Sequence, residues 1–559
     1  MSGLENKRDA RCGFGPRVAR AMVAVCGSCT SGVIFMPGQY PVRSIVIVGG
    51  GTAGWLAAVL ARAFLEGLYG PVSGKRGGWT VTVIVSPHRP AIGVGEGSTG
   101  LLASVLRDPR NRLDEAAFLR DARATLKLGI EHRGWRADGG SYWGPIDAPE
   151  SLVPGLAGWD VPLTQAFCVA AGRPAADAYL HTWLMRRRRV PVFENGNGYE
   201  LIPSHAFHFD AGAAARHLEA ACIRLGVTCV HAHVSQVRRG GDGSVSGVVT
   251  ETGETIDGDL FIDCSGFARC LLTPGQARWR GYGDLLPVNR ALAVQLPHPR
   301  GRPIHTATLA QAMRAGWMWN IPTRDRIGVG YVYSAGHLGD EEALRELSET
   351  LGGLAPDSVR RIDFESGRLE QVLHGNVLAA GLAASFIEPL EATSIHATLV
   401  QLQRLFALLE AGRGRVPDAI TASAYNGFVA AMFDDFRDFV LLHYCTGRAD
   451  TPFWLDMQRR ATGGRMLEWL DLWRRDFPRN DHFQAGSGAV SANLFLPVVH
   501  GIGLAGRDVA RLALDRLAPP PALTATVENL LGLYREMAGR AMPQRSALDC
   551  LSGRQAARS

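Results

Sequence analysis

Lysine is rare in this chain, and one lysine lies where an amine could do chemistry. The sequence has 56 arginines but only three lysines, Lys7, Lys75 and Lys127. Lys127 lies in the largely apolar segment 124–130. An amine can lose its proton, act as a point donor or react with an electrophile, and a guanidinium practically cannot. Lys127 is therefore a candidate catalytic residue; the alternative is a helix lysine that reaches solvent along apolar surface.

Two tryptophans stand two residues apart in the segment Gly316–Pro322, which reads GWMWNIP. Residues i and i+2 of an extended segment point to the same face, so Trp317 and Trp319 would form one aromatic surface. Such a surface can wall a cavity and exclude a substrate from part of it. The alternative is a buried aromatic pair that fills core volume.

A glycine-rich turn indicates a dinucleotide site near the start of the ordered chain. Residues 44–48 are a continuous apolar run typical of a buried parallel strand, and a helix is predicted over 55–65. Between them the backbone can approach a pyrophosphate at the helix N-terminus. Strand, G-x-G-x-x-G and helix together predict a Rossmann-type turn formed by Gly49, Gly50, Gly51, Thr52, Ala53 and Gly54.

The second predicted strand, residues 80–85, ends without the acidic residue that often holds the adenosine ribose. We expect ribose binding to rest on Ser86, which follows this strand, or on backbone groups. Later patterns predict strands over 228–237 and 245–250. Helices are predicted over 211–222, 399–411, 424–444, 464–475 and 527–538.

These elements predict an α/β part followed by a mainly helical part. The predicted divisions are a disordered leader over 1–42 (Met36 being an alternative start), a nucleotide-binding part with inserted substrate-side segments over 43–400, a helical subdomain packed on it over 401–545, and a disordered tail over 546–559.

Composition is that of an ordinary globular enzyme, with 46% hydrophobic and 20% charged residues among 559 and a net charge of +6. The one dense basic run, 186–189, reads as a solvated helix end, so no nucleic-acid partner is expected. No segment has the roughly 20 apolar residues that span a bilayer. The ten scattered cysteines read as reduced thiols, which predicts a cytoplasmic location. The pair Cys26 and Cys29 lies in the leader, and no metal site is predicted.

Several strings, in the same order along the chain, resemble the flavin-dependent tryptophan halogenases. The resemblance runs from about residue 43 to at least Trp454 and more loosely to about residue 510. It implies an FAD-binding Rossmann-like box of the glutathione-reductase-type flavin monooxygenase kind, with a mainly helical C-terminal subdomain. Besides the glycine turn and GWMWNIP, the matching strings are IGVGE at 92–96, FHFDA at 207–211, DCSGF at 263–267, GYVYS at 330–334, FIEPLEAT at 386–393, MFDD at 432–435 and TPFW at 451–454.

The resemblance also implies a reaction and its participants. In the family, reduced FAD and oxygen oxidise chloride or bromide to hypohalous acid, which crosses an internal passage to a substrate held away from the flavin. FADH2 would come from a separate NAD(P)H flavin reductase. The expected substrate is a small electron-rich aromatic molecule, indole-like or phenolic. No membrane partner is expected, and a homodimer stays open beside a monomer.

Site residues are implied at the matching positions. Lys127 matches the family's catalytic lysine, which hydrogen-bonds hypohalous acid or carries the halogen as a chloramine. Glu391 matches the glutamate beside it, where a carboxylate stabilises the cationic intermediate or takes its proton. The backbone amides of Thr393 and Ser394 match the halide site. Cofactor positions are matched by Glu96, Val234 and Ile395.

Two departures from the family pattern concern the halide and the substrate. The family usually has glycine at Ser394, so halide affinity would suffer if this position needs positive φ. Family tyrosines and an acidic residue that hold the amino and carboxylate groups of tryptophan have no counterpart over 480–488. Tyr142 and Trp143 could sandwich an aromatic substrate, or could belong to a packed loop.

Two other functions remain open at this point. A single-component flavin hydroxylase would share the nucleotide fold, but the Trp317 and Trp319 pair and the pairing of Lys127 with Glu391 argue against it. A flavin-binding, halogenase-like protein without catalysis is the second alternative, for which Ser394 and the absent clamp argue.

Overall fold

A six-stranded sheet carries the predicted glycine turn. In the computed structural model, its first five strands run parallel and the last is antiparallel. The predicted strands 44–48 and 80–85 are confirmed at their full length. In order across the sheet, the strands are Thr228–His231, Thr80–Val85, Ser44–Val48, Leu260–Asp263, Val377–Ala379 and Leu373–His374.

The structure describes most of the chain beyond the predicted leader. Residues 1–40, including Lys7, Cys26 and Cys29, lie outside the described residues, as do Lys75 and most of the segment 480–488. The described ranges are 41–71, 78–88, 95–146, 162–196, 198–354, 358–461, 463–483, 492–519 and 522–553.

A seven-stranded sheet forms the second layer and carries the tryptophan string. Its neighbouring strands are antiparallel except for Ala307–Met313 and Gly129–Arg133, which are parallel. GWMWNIP is one whole strand at its centre. The order across the sheet is Arg360–Asp363, Arg290–Pro297, Arg326–Tyr333, Gly316–Pro322, Ala307–Met313, Gly129–Arg133 and Tyr142–Pro145.

Smaller sheets complete the α/β part. One of them brings Lys127 into the core, because Ala206–Asp210 pairs with both Gly95–Gly97 and Thr125–Lys127. The remaining small sheets consist of Val234–Arg239 with Val245–Thr250 and Thr255–Asp257, of Trp279–Gly281 with Gly367–Leu369 and Ser385–Phe386, of Arg189–Val190 with Met542–Pro543, and of Val192–Asn195 with Gly198–Leu201.

Helices dominate the last third of the chain, as predicted. Among the described residues, none of them is long and apolar enough to cross a bilayer. The α-helices are Thr52–Tyr69, Gly100–Arg107, Glu115–Asp121, Pro162–Ala170, Leu180–Arg186, Ala211–Arg224, Asp340–Leu351, Thr393–Ala411, Ala419–Tyr444, Pro452–Arg460, Gly464–Trp473, Ala492–Gly501, Arg507–Leu517, Ala522–Arg540 and Gln544–Leu551.

Three predicted boundaries differ from the structure. The predicted division at residue 400 falls inside the helix Thr393–Ala411, which packs against Thr52–Tyr69 and so belongs to the nucleotide-binding part. The predicted tail begins too early, because the helix Gln544–Leu551 buries Leu548 in the core. The single strand predicted over 228–237 is two strands in different sheets.

Candidate active site

Backbone atoms pack directly against the glycine turn at two of its positions. Gly49 has a φ of +124°, and a Cβ there would lie 2.2 Å from the carbonyl oxygen of Cys264. A Cβ on Gly54 would lie 1.8 Å from the carbonyl oxygen of Gly49. At Gly51 the same atom would meet nothing within 4 Å, so the approach to the helix Thr52–Tyr69 is open. A pyrophosphate would meet free amide groups there.

Ser86 and Val234 lie at the same corner of the molecule. The Ser86 Oγ is 3.1 Å from Nδ1 of His233, and Val234 begins the next strand. The backbone N–H of His233 donates to Oε1 of Glu251 at 3.3 Å. The end of the strand Thr80–Val85 lacks the acidic residue that often holds the adenosine ribose. Glu251, from a turn far along the chain, places a carboxylate at this corner instead.

A cleft lies at the start of the helix Thr393–Ala411. Thr393, Ser394, Phe433 and Phe436 are among the residues that line it. Gly381, also at its wall, has a φ of +62°, and a Cβ there would lie 2.8 Å from the Cβ of Ala53. The cleft therefore reaches the glycine turn.

Gln401 is a buried amide that faces this cleft without a partner. Neither polar atom of its side chain has a hydrogen bond among the described residues. An unpaired buried polar group costs about 1–3 kcal/mol, so Gln401 is available to a bound polar group.

Lys127 ends a buried strand, so the alternative of a surface helix lysine is wrong. Its Nζ donates to the carbonyl oxygen of Ser98 at 3.2 Å. A Cβ on Gly97 would lie 3.3 Å from this Nζ and 3.4 Å from the Cβ of Ala392. The lysine amine and the residue that follows Glu391 therefore approach each other on either side of a glycine.

Burial changes the acidity of this amine. It lowers the pKa of Lys127 to about 8, against the negative charge of Glu391, which raises it. An ordinary lysine has a pKa of about 10.4. At pH 7–8 the ammonium donor and the neutral amine are therefore both populated, as a group that alternates between proton donor and nucleophile requires.

Two buried imidazoles adjoin the carboxylate of Glu391. Nε2 of His443 is 3.0 Å from Oε1 of Glu391, and Nε2 of His132 is 3.5 Å from the same oxygen. Burial raises the pKa of Glu391, but the two imidazoles outweigh it and bring the pKa to about 2. Burial, with the adjacent imidazole of His443, lowers the pKa of His132 to about 4. Glu391 is therefore ionised throughout the neutral pH range.

The predicted halide amides lie at an uncapped helix start. Ala392 has left-handed backbone angles, φ 53° and ψ 38°, and Thr393 begins the helix without a side-chain cap. A left-handed residue followed by helical residues makes a concave nest of N–H groups that suits an anion. Ser394 is not among the non-glycine residues with positive φ. The loss of glycine at Ser394 therefore needs no strained backbone.

The remaining predicted cofactor residues, Ile395 and Glu96, lie in different elements of the fold. Ile395 follows the halide amides in the first turn of the same helix and is buried. Glu96 lies in the small sheet of Lys127, opposite Phe209. Burial and the charge of Asp210 raise the pKa of Glu96 to about 7.

Trp317 and Trp319 are both buried in the seven-stranded sheet, as the packed-pair alternative predicts. Their ring centroids are 6.3 Å apart with an edge-to-face geometry. Nε1 of Trp317 donates to Oε2 of Glu388 at 2.7 Å. Glu388 precedes Glu391 by three residues, so the tryptophan strand fixes the segment that carries the candidate catalytic carboxylate.

The structure does not bring Tyr142 and Trp143 together as two walls of one sandwich. Successive residues of a strand point to opposite faces. Tyr142 stacks on His132 with ring centroids 4.5 Å apart, and its hydroxyl is 2.8 Å from Nδ1 of His443. Its ring is also covered by Gly501, where a Cβ would lie 2.5 Å away. Trp143 packs in a separate apolar cluster.

Comparisons with known proteins agree with this geometry. The family model for tryptophan halogenase matches residues 44–516. The chain belongs to the tryptophan halogenase family. It is 30% identical to RebH, a tryptophan 7-halogenase of Lentzea aerocolonigenes, over 89% of this chain and 95% of RebH.

Solved halogenase structures share the whole fold. The tryptophan halogenase from Shewanella frigidimarina superposes with a TM-score of 0.80 at 26% identity, covering 92% of this chain and 98% of that one. MibH, a lanthipeptide tryptophan 5-halogenase, superposes with a TM-score of 0.77 at 27% identity, covering 93% and 95%. The predicted FAD-binding Rossmann-like fold is confirmed.

Family membership establishes the class of reaction. This halogenase is an enzyme that uses FADH2 and halide to halogenate aromatic substrates, and it needs a separate flavin reductase. The hydroxylase and non-catalytic alternatives are thereby set aside. The residues present fit FAD, because the close-packed glycine turn leads to an open helix start and the unpaired Gln401 lines a cleft whose wall at Gly381 adjoins Ala53 of that turn.

Sequence reasoning missed His132 and His443. Neither stands in a recognisable string, and they are 311 residues apart in number. Only the adjacency of the strand Gly129–Arg133 and the helix Ala419–Tyr444 in the fold places both beside Glu391. No pattern in the sequence could have placed these two histidines in the predicted site.

The buried amine should destabilise the halogenase at neutral pH. Below pH 8 both the folded and the unfolded chain bind the Lys127 proton, so the full cost of burying the ammonium is present. Between pH 8 and about 10.5 the unfolded chain binds more protons, and stability rises with pH. We expect Lys127→Met to raise the free energy of unfolding at pH 7 by up to about 3 kcal/mol. Denaturant unfolding at pH 7 and 9.5 checks this: the gain should shrink at the higher pH, and a Met variant less stable at pH 7 contradicts it.

Proposed function

We propose that Lys127 and Glu391 deliver the halogen to an uncharged electron-rich aromatic ring, indole-like or phenolic. The observation that carries this proposal is the approach of the buried Lys127 amine to the segment of Glu391, beside an open nest of backbone amides. An amine, a carboxylate and an anion nest are the three groups that this delivery requires.

Each group has a distinct task in the proposal. Bound reduced FAD, with oxygen, supplies the oxidation of halide to hypohalous acid. The amides of Thr393 and Ser394 hold the halide before that step. Lys127 then donates a hydrogen bond to hypohalous acid or carries the halogen as a chloramine, since its amine is populated both with and without its proton. Glu391 faces the substrate carbon.

The depressed pKa of Glu391 favours one of its two possible tasks. A general base works best when its pKa is near the operating pH, and a carboxylate of pKa about 2 is a weak base. A fixed negative charge in a water-poor site stabilises a cation strongly. We therefore propose that Glu391 chiefly stabilises the positive charge that develops on the ring and then accepts its proton.

The substrate class follows from the charges that the site can meet. Free tryptophan carries an ammonium and a carboxylate, and each buried charge without a partner costs several kcal/mol. The segment 480–488 has no tyrosine pair and no Glu-rich stretch that matches the family's partners for these charges, and Tyr142 is already engaged with His132 and His443. Relatives named for different tryptophan substrates, RebH and MibH, show that the family's substrates vary.

Free L-tryptophan should therefore be a poorer substrate than indole. We expect a higher kcat/KM for indole when both are assayed with the same flavin reductase, halide and oxygen supply and product is measured by mass spectrometry. Indole-3-acetamide, which is uncharged but larger than indole, is the matched control for size. Regioselective turnover of tryptophan with a clearly higher kcat/KM than indole refutes the substrate class while leaving the roles of Lys127 and Glu391 untouched.

A further inference from the structure

A second group of ligating side chains lies away from the active site, at the edge of the six-stranded sheet. Cys229 and His231 are two residues apart on the edge strand Thr228–His231 and so share a face. Glu219 reaches the same place from the helix Ala211–Arg224, which packs against this strand. The Cys229 Sγ is 3.5 Å from Oε1 of Glu219 and 3.5 Å from Nε2 of His231, and this Nε2 is 3.4 Å from the Glu219 oxygen.

These three separations match the edges expected for a zinc coordination tetrahedron. With ordinary zinc bond lengths and tetrahedral angles, the sulfur–nitrogen and sulfur–oxygen edges are about 3.6 Å and the nitrogen–oxygen edge about 3.4 Å. The observed distances agree within ~0.1 Å. A hydrogen bond between the imidazole and the carboxylate would instead bring its nitrogen and oxygen to about 2.9 Å.

The three donors also suit zinc chemically. Sulfur, imidazole nitrogen and carboxylate oxygen are the ligand types that zinc accepts together. Glu219, Cys229 and His231 range from half-buried to exposed, so water can occupy a fourth position. The other group with ligating spacing in the described part of the chain, Glu391 with His132 and His443, fits a metal less well. Its imidazole rings stack 4.5 Å apart at 22°, so their nitrogen lone pairs do not converge.

We propose that Glu219, Cys229 and His231 bind one Zn²⁺ ion, with water as the fourth ligand. On binding, the Cys229 thiol loses its proton to solvent and a zinc–sulfur bond forms. The ion links the helix Ala211–Arg224 to the edge strand Thr228–His231. It therefore restrains one edge of the six-stranded sheet. A Cys-x-His pair with a glutamate ten residues earlier matches no standard zinc-ligand spacing, so the sequence alone does not indicate this site.

Cobalt is the probe that reads this site directly, because tetrahedral Co²⁺ bound to thiolate has visible absorption bands. We expect the metal-free full-length halogenase to bind one equivalent of Co²⁺ with these bands, and Zn²⁺ to displace it. Cys229→Ser should abolish the bands. Glu219→Gln and His231→Gln should each weaken Zn²⁺ binding by about 10-fold or more, as loss of metal-site groups does.

Two controls separate this site from other thiols. Cys270→Ser, a half-buried cysteine elsewhere, should keep the full signal. The Cys26→Ser, Cys29→Ser double variant should also keep the full signal. Cys26 and Cys29 are the most closely spaced cysteines in the sequence and so the pair that could itself bind a metal ion. One equivalent of Zn²⁺ should also raise Tm of the wild-type chain but not of Cys229→Ser. A thiolate signal that survives Cys229→Ser, or no metal bound at one equivalent, overturns the proposal.

Discussion

Lys127→Arg should reduce halogenation to background while FAD binding persists. The substitution keeps a positive charge but removes the properties that the proposed role needs. A guanidinium keeps its proton at any pH of interest and cannot carry a halogen as an amine does. It is also larger, and the lysine amine already lies 3.2 Å from the Ser98 carbonyl and close to Gly97. Product formation by mass spectrometry, together with FAD affinity from flavin fluorescence, checks the prediction.

Two further variants keep this test informative if arginine disturbs the fold. Lys127→Met removes the amine at similar volume, and Lys127→Ala removes it with most of the side chain. Both should bind FAD and should still consume oxygen and reduced flavin, because neither change reaches the glycine turn. All three variants should lack product. Near-normal halogenation by the arginine variant would show that charge alone suffices, and the proposed role would be wrong.

The strands near the glycine turn could be predicted because burial on both faces leaves a continuous apolar run. Residues 44–48 have that signature, whereas 80–85 alternate threonine with valine before ending apolar; both lie inside the parallel sheet. The segment 228–237 was predicted as one strand although polar residues interrupt it, and the chain leaves the sheet after His231. The Ala232 N–H bonds the carbonyl of Val85, and a new strand begins at Val234 in another sheet. The apolar pattern of a segment does not show with which sheet its residues pair.

Residues of the candidate site were predictable where a rare residue type marks them, as with Lys127, or where they are contiguous in sequence. Glu391, Thr393 and Ser394 stand in one string, so one resemblance found them all. The groups that set their chemistry come from distant segments. His443, on the helix Ala419–Tyr444, meets Glu391 through tertiary packing alone. Tyr142 was assigned to the substrate, but its neighbours His132 and Gly501 engage it from elsewhere in the chain.

The serine at position 394, where the family usually has glycine, does not strain the backbone of the anion nest. The left-handed residue is Ala392, two positions earlier, where a non-glycine residue costs roughly 1–2 kcal/mol. The anion nest therefore depends on the backbone at Ala392, which the alanine adopts at that cost.

Glu391→Gln should lower kcat for halogenation by about 10²–10³-fold, the usual effect of removing one fixed group that stabilises charge in the transition state. Glutamine keeps the volume and the polar contacts but removes the negative charge. Since the Glu391 pKa is about 2, the wild-type side chain is charged throughout pH 6–9, and the loss should be similar across that range. FAD affinity should not change.

The step at which Glu391 acts can be separated from the steps before it. Hypohalous acid formed at the flavin should still appear in Glu391→Gln, and a small-molecule trap in solution would capture it while substrate halogenation falls. Glu388→Gln is the matched control, because Glu388 is a buried glutamate of the same segment, three residues before Glu391. Its Oε2 accepts bonds from Trp317 and from the Tyr444 hydroxyl, each at 2.7 Å, which an amide oxygen can also accept.

The two carboxylates therefore give opposite expectations for the same chemical change. Glu388→Gln should retain most of the activity, since burial already raises its pKa to about 7 and its task is to accept bonds. Glu391→Gln should lose activity, since its task is to present a charge that His132 and His443 hold in the ionised form. If Glu391→Gln kept most of its kcat across pH 6–9, stabilisation of the ring cation would have to be assigned to another group.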